Sequence, residues 1–129
     1  MKTNIEKNTN TDEYIDDIQF FIETNQDDPD FLIEILESFP DDVKDRLNKL
    51  KTSVVNENTK AIAVAAHKFI ALFSCIFIDS ASQISHKLQI SAKSNNIDEC
   101  HEIFNQLERL MNDIVHYLSS LKLENIKHV

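Results

Sequence analysis

The histidine best placed for chemistry is His67, which lies within the long apolar segment Ala61–Ile78. At the angular step of an α-helix, the large side chains of this segment cluster around one direction and are expected to face the core. This set comprises Ile62, Ala66, Phe69, Phe73 and Ile76. His67 falls well away from that direction, so the pattern predicts an imidazole exposed to solvent on a helix.

The neighbours of His67 at helical spacing are small: Ala63, Ala71 and Ser74. An imidazole surrounded by small side chains is accessible to another macromolecule. A neutral imidazole nitrogen is a nucleophile near neutral pH, because the reference pKa of a histidine side chain is about 6.5. The alternative interpretation is a solvated histidine at the edge of a helix, with no chemical role.

The other histidines and the cysteines carry weaker signals. The remaining histidines are scattered along the chain, at His86, His101, His116 and His128. A di-iron site in a helical bundle needs two Glu-x-x-His pairs, and the nearest pattern is a single Asp113-x-x-His116. No metal site is therefore predicted. Cys75 and Cys100 form no CxxC pair and are interpreted as reduced, packed thiols.

The amino-acid composition indicates which kind of secondary structure positions His67. The chain has 129 residues, enough for one domain, and contains no glycine. Glycine supplies left-handed turns and the close backbone approach of phosphate-binding loops, so its absence excludes a glycine-rich nucleotide loop and most tight β-architectures. The composition therefore predicts an all-α chain of long helices joined by short polar loops.

Apolar periodicity predicts an antiparallel up-down four-helix bundle with a short extra helix at the N-terminus, over 12–24. The second helix carries the clearest stripe: Leu32, Leu36, Phe39, Val43, Leu47, Leu50 and Val54. Asp28 is predicted to cap this helix, Pro29 to occupy its first position, and Pro40 to kink or split it.

The later helices are predicted over 59–77, from 79 or 80 to a break at 94–96, and from 97 to about 122. Ser80 and Gln83 form a predicted capping box at the start of the fourth helix. Residues 1–11 are predicted to form a disordered tail, residues 12–122 the bundle, and residues 123–129 a frayed C-terminus.

The residues around His67 resemble the motif of the histidine-containing phosphotransfer (HPt) domain family, roughly Ala-His-x-Leu-Lys-Gly-Ser/Ala with a Leu-Glu further along. Ala66 and His67 match this motif directly. The looser matches are Phe69 for leucine, Ala71 for glycine, Ser74 in the small-residue stretch and Leu88-Gln89 for Leu-Glu. Upstream, Phe31–Pro40 resembles the opening helix of the family, and the resemblance covers about residues 12–122.

Two residues depart from the family pattern. Ile70 replaces the lysine of the motif, and Phe77 replaces a later glycine. A lysine at position 70 lies one turn from the histidine and attracts a phosphoryl group. Lys68 is a partial substitute, since it points about 100° around the helix from His67.

The resemblance implies a phosphorelay carrier rather than a complete enzyme. His67 accepts a phosphoryl group from the aspartate of a receiver domain and passes it to another receiver. The expected contacts with the receiver are Ala63, Lys68, Ile70, Ala71 and Ser74. Receiver domains of response regulators or hybrid histidine kinases are the implied partners. The Mg²⁺ belongs to the receiver, so no cofactor is expected in this chain.

Two alternatives remain open. The first is a degenerate HPt-like bundle that binds a receiver or a histidine kinase without being phosphorylated, which the replacements Ile70 and Phe77 favour. The second is a helical adaptor with no signalling role. Phosphate transfer separates the carrier from both alternatives, and receiver binding separates the two alternatives from each other.

The net charge of the chain limits the classes of partner that are expected. The chain has 13 Lys and Arg against 22 Asp and Glu, a formal net charge of −9. Such an acidic chain repels phosphate backbones and anionic lipids, so neither nucleic acid nor a membrane is expected as a partner. The polar N-terminal sequence lacks the apolar core of a signal peptide, which favours a cytoplasmic location.

Overall fold

The computed structural model describes residues 2–121, with side chains from Glu13 onward. It contains α1 (Lys2–Thr24), α2 (Pro29–Val55), α3 (Thr59–Cys75), α4 (Asp79–Lys93) and α5 (Ile97–Ser120). The described residues include no strand, so the all-α prediction is confirmed. The sequence predicted a disordered tail over 1–11 and a helix only from residue 12, whereas α1 begins at Lys2. The predicted frayed C-terminus, 123–129, lies outside the described residues.

The second helix forms as the sequence predicted. The Asp28 carboxylate accepts a hydrogen bond from the amide of Phe31, and Pro29 occupies the first helical position. Every residue of the predicted stripe is buried. The prediction that Pro40 could split the helix is wrong, because α2 continues through this residue. Phe39 and Val43 are buried on either side of Pro40, so both halves of the helix are held against one core.

All five helices contribute to one apolar core. Helix α2 packs on α3, α3 on α4, α4 on α5 and α5 on α2, while α1 packs on α4 and α5. The core beneath α3 includes Phe69 and Phe73, which are fully buried and stacked with ring centroids 5.6 Å apart. Phe39 of α2 meets Phe73 edge-on at 5.9 Å. These aromatic contacts fix the position of the helix that carries His67.

Among the helices within residues 2–121, none combines the length and the apolar character needed to cross a bilayer.

The loops that follow α2, α3 and α4 share one backbone design. Each contains a single residue with left-handed φ: Glu57 at 54°, Phe77 at 66° and Asn95 at 58°. In each loop, the amides of this residue and of the next one donate to carbonyls in the last helical turn. Glycine is favoured at this position because it has no Cβ, and the chain contains none. The left-handed positions are therefore occupied by side chains that cost free energy there.

Replacing Glu57 by glycine is expected to stabilise the fold, because glycine adopts a φ of 54° without a steric penalty. The matched control is Glu57→Ala, which also removes the exposed contact with His101 but keeps the Cβ. We expect the glycine variant to exceed the alanine variant by about 1 kcal/mol in free energy of unfolding, measured by urea denaturation. Equal stability of the two variants would contradict this account of the loop.

The start of α4 differs from the predicted capping box. The N-cap is Ile78, which has no side-chain cap, and Gln83 donates to the Asp79 carboxylate at 2.6 Å. Within the described part of the chain, the Ser80 hydroxyl is buried without a hydrogen-bond partner. The reason is the tight loop after α3. This loop ends at Ile78, so α4 begins before Ser80 and places that residue inside the first turn.

The first amide of α4, that of Asp79, donates to the carbonyl of Phe77 at 2.9 Å and also to a side chain of another helix. Asp17 of α1 accepts a hydrogen bond from the amide of Asp79 at 3.2 Å. Burial raises the pKa of the Asp17 carboxyl above its ordinary value of 3.8, and the negative charges of Glu13, Asp79 and Asp16 also raise it. The amide of Asp79 opposes this shift without cancelling it.

A raised pKa means that folding disfavours the charged form of Asp17, so stability falls as pH rises through the folded-state pKa. Asp17→Asn removes the charge and keeps an oxygen that accepts from Asp79. We expect the variant to be more stable than the parent near neutral pH and equal to it below pH 3.8. Urea denaturation at the two pH values measures this, with Asp41→Asn, at an exposed position of α2, as the matched control. An advantage that persists at low pH would contradict the electrostatic cause.

Candidate functional site

His67 is exposed on α3, as the helical pattern predicted, and its ring faces a side chain of α4. The Nδ1 atom of His67 lies 3.3 Å from Nε2 of Gln89. Further along the same pair of helices, the hydroxyls of Ser74 and Ser82 lie 3.4 Å apart. These two pairs show that α3 and α4 run in opposite directions, which brings Gln89 opposite His67.

A shallow depression of about 370 Å³ surrounds this pair. We call it the His67 depression, and its lining residues are Ala63, Val64, His67, Lys68, Gln89 and Lys93. Ala63 and Val64 provide an apolar wall, and the two lysines provide positive charge. Among the described side chains, neither lysine forms an ion pair. The depression therefore offers an anion two cations beside a nucleophile.

Gln89 controls which ring nitrogen of His67 is free. When the Gln89 amide presents Nε2–H to Nδ1, the proton of a neutral ring sits on the outer nitrogen, Nε2. A half-turn of the amide presents Oε1 instead, so that Nδ1–H donates to it and the Nε2 lone pair faces solvent. In the second arrangement, the free lone pair of the ring is on Nε2 rather than on Nδ1.

The structure separates the predicted site residues into two groups. Ala63 and Lys68 line the depression with His67. Ala71 is exposed on a neighbouring concavity that it shares with Lys68. Ile70 is half-buried, and its carbonyl accepts a hydrogen bond from the Ser74 hydroxyl at 2.7 Å. Ile70, Ala71 and Ser74 therefore lie further along α3, outside the His67 depression.

Three residues of the depression were not predicted as site residues: Val64 of α3, and Gln89 and Lys93 of α4. Gln89 and Lys93 are one helical turn apart, so they present side chains to the same edge of α3. Gln89 entered the sequence analysis only as the counterpart of a Leu-Glu pair. Lys93 supplies a cation from a neighbouring helix to the depression that contains His67.

Among the described side chains, the two cysteines and His101 lie outside the His67 depression. Cys100 is buried, and burial raises the pKa of its thiol. Cys75 is exposed, contrary to its interpretation as a packed thiol. His101 lies 3.5 Å from the Glu57 carboxylate at the surface. Among the side chains that the structure describes, no group of three or more His, Cys, Asp or Glu could hold a metal ion.

Comparison with protein-family models, with curated proteins and with solved structures found no match for this chain. Its function is therefore inferred from the residues and the geometry of the His67 depression.

Proposed function

We propose that this chain is a phosphorelay carrier, which accepts a phosphoryl group on His67 from a receiver-domain aspartate and passes it to another receiver. The observation that supports this function best is an exposed imidazole, oriented by Gln89, in a depression lined by Lys68 and Lys93. The chain acts in the cytoplasm as a carrier, and the receiver supplies the Mg²⁺ and the rest of the catalytic machinery.

The scaffold in this proposal is an antiparallel up-down four-helix bundle, with α1 as an additional helix. Its support is the closed sequence of contacts from α2 to α5 and back, together with the short loops between successive helices. In such a bundle, a histidine on the outer face of one helix is open to a partner. The buried side chains beneath the helix fix the position of the histidine.

The chemical step requires one lone pair and one leaving group. The Nε2 atom of His67 attacks the phosphorus of the receiver's aspartyl phosphate, a P–N bond forms, and the P–O bond to the aspartate breaks. The aspartate leaves as a carboxylate, and the ring proton remains on Nδ1, where Oε1 of Gln89 accepts it once the amide has made its half-turn. Onward transfer to a second receiver reverses these steps.

The two lysines are expected to stabilise the phosphoryl group by charge. Lys68→Ala and Lys93→Ala should each shorten the lifetime of phosphohistidine about two- to fivefold, since a single exposed cation contributes up to about 1 kcal/mol. The difference should shrink at high salt. The matched control is Lys87→Ala, an exposed lysine of α4 outside the depression. Decay of acid-labile phosphate measures the lifetime, and identical decay in all variants would exclude a role for these charges.

The experiment that tests the proposed function is transfer from phosphorylated receivers. The full chain is incubated with receiver domains that have been charged with acetyl phosphate, and its mass and acid-labile phosphate are measured. Phosphoramidate, a small donor that phosphorylates imidazoles directly, is used in parallel. Labelling by both donors supports the carrier. Labelling by neither, in a folded chain, would overturn it.

A second candidate function is favoured by Ile70. In the degenerate-bundle alternative, the chain binds a receiver or histidine kinase without being phosphorylated. An isoleucine in place of the motif's lysine suits an apolar contact with such a partner. Binding of a receiver without transfer of phosphate, in the same experiment, would select this alternative.

A further inference from the structure

A second concave surface lies beside the His67 depression, between α2 and α3. Its volume is about 510 Å³, within the range of about 300–1,000 Å³ that is typical of sites for small molecules. We call it the α2–α3 groove. Its floor is formed by Ala61, Val64 and Ala65 of α3, and Val64 is 57% exposed there. The floor is therefore an apolar surface open to solvent.

Basic side chains surround this floor from both helices. They are Arg46 and Lys49 on α2 and Lys60 and Lys68 on α3. Among the described residues, no aspartate or glutamate lines the groove, although the chain has 22 acidic and 13 basic residues. The groove is therefore a positively charged region on an acidic protein.

Most of these cations are free to meet a ligand. Lys49 pairs with Asp45 at 3.2 Å, but both side chains are well exposed. The structure gives Arg46, Lys60 and Lys68 no ion-pair partner among the side chains that it describes. An anion in the groove would gain their attraction without displacing an existing pair.

The dimensions of the groove favour a small ligand over a protein surface. Lys60 and Lys68 are separated by about 12 Å along α3, at about 1.5 Å per residue. A stable protein interface covers about 800 Å² on each partner and extends well beyond two helical turns. An apolar floor with charged groups converging from two walls is the usual form of a small-molecule site.

We propose that the α2–α3 groove binds an amphipathic organic anion. An aromatic or aliphatic body lies on Val64 and the two alanines, and a phosphate, sulfonate or carboxylate group is held by Arg46 and Lys68, which also line a neighbouring concavity together. This site does not depend on phosphotransfer at His67, although Val64 and Lys68 line both concavities.

The test separates the contribution of the apolar body from that of the charge. The isotope-labelled full chain is titrated with 1-naphthyl phosphate, with 1-naphthol and with inorganic phosphate, and backbone amide shifts are followed by NMR. We expect 1-naphthyl phosphate to bind at least about tenfold more tightly than either of the other two. Only this compound combines an apolar ring for the floor with an anionic group for the basic side chains around it. The shifts should centre on the amides of Ala61, Val64 and Ala65.

Charge reversal then locates the anion. Arg46→Glu combined with Lys68→Glu should weaken binding of 1-naphthyl phosphate by about tenfold or more. The control Lys87→Glu, outside the groove, should leave the affinity unchanged, and circular dichroism verifies that each variant is folded. Equal affinity for inorganic phosphate alone, shifts centred elsewhere, or no effect of the double reversal would overturn the proposal.

A macromolecular occupant is the remaining outcome, and it would also overturn the proposal. A synthetic helical peptide with glutamates on one face and leucines on the other is titrated under the same conditions. Tighter binding of this peptide than of 1-naphthyl phosphate, with the same amides shifted, would assign the groove to an acidic protein partner. Weaker binding of the peptide supports the small anion.

Discussion

Replacing His67 by glutamine is expected to abolish phosphorylation of this chain by phosphorylated receivers, and to remove the label that phosphoramidate places on residue 67. A glutamine amide has no nucleophilic lone pair on nitrogen, and the His67 depression contains no second imidazole. Because the side chain is exposed, the free energy of unfolding should change by less than about 0.5 kcal/mol. Intact-chain mass spectrometry measures the label, and urea denaturation measures the stability.

The matched control for this experiment is His86→Gln, which changes an exposed histidine of α4 away from the depression. It should keep full labelling by phosphorylated receivers and should keep the phosphoramidate label on His67. Receiver-dependent labelling that survives in His67→Gln would place the phosphoryl group on another residue. Loss of receiver labelling in His86→Gln would mean that the partner approaches a different face of the bundle.

The helices were predictable because each carries a long and regular apolar stripe. Every stripe residue of α2, from Leu32 to Val54, is buried. The stripe extends over about six helical turns. The apolar surface that these turns bury stabilises the helix by more than Pro40 destabilises it, since the proline removes only one backbone hydrogen bond. The same strength of pattern placed His67 on the exposed side of α3.

The loops were only partly predictable from composition. The absence of glycine excluded glycine-rich loops, but it did not exclude left-handed residues, and Glu57, Phe77 and Asn95 all adopt that conformation. A helix can end in a tight loop on a non-glycine residue when the packing of the flanking helices outweighs the local strain. At Phe77 the compensating contacts are with α1, because the ring packs on Phe20 and Phe21 with centroids 5.8 and 5.3 Å away.

The candidate site was predictable on one helix and not across two. Spacing along α3 identified His67 and Ala63, and the family resemblance indicated Lys68, whereas Gln89 and Lys93 come from α4. The position of these two side chains relative to His67 depends on the register of α3 and α4, and the tight loop at Phe77 sets that register. His67 and Gln89 lie at similar distances in sequence from that loop, so a known loop geometry would have paired them. The sequence alone does not specify the loop conformation at a phenylalanine.

The largest effect on stability is expected from Phe73→Ala. Phe73 is fully buried, and its ring contacts Phe69 of the same helix at 5.6 Å and Phe39 of α2 at 5.9 Å. Removing the ring leaves a cavity between α2 and α3 that these neighbours cannot fill. The expected loss is about 3–5 kcal/mol in free energy of unfolding, a large part of the roughly 5–15 kcal/mol that a domain possesses.

Urea denaturation followed by circular dichroism measures this loss, with Phe31→Ala as the matched control. Phe31 is 40% exposed, so its removal should cost far less than that of Phe73. If Phe73→Ala lost less than about 1 kcal/mol, the aromatic cluster would not be what holds α3 in place. If the expected loss is found, the rigidity that fixes His67 opposite Gln89 comes from the core beneath α3, because no described covalent or metal link joins α3 to its neighbours.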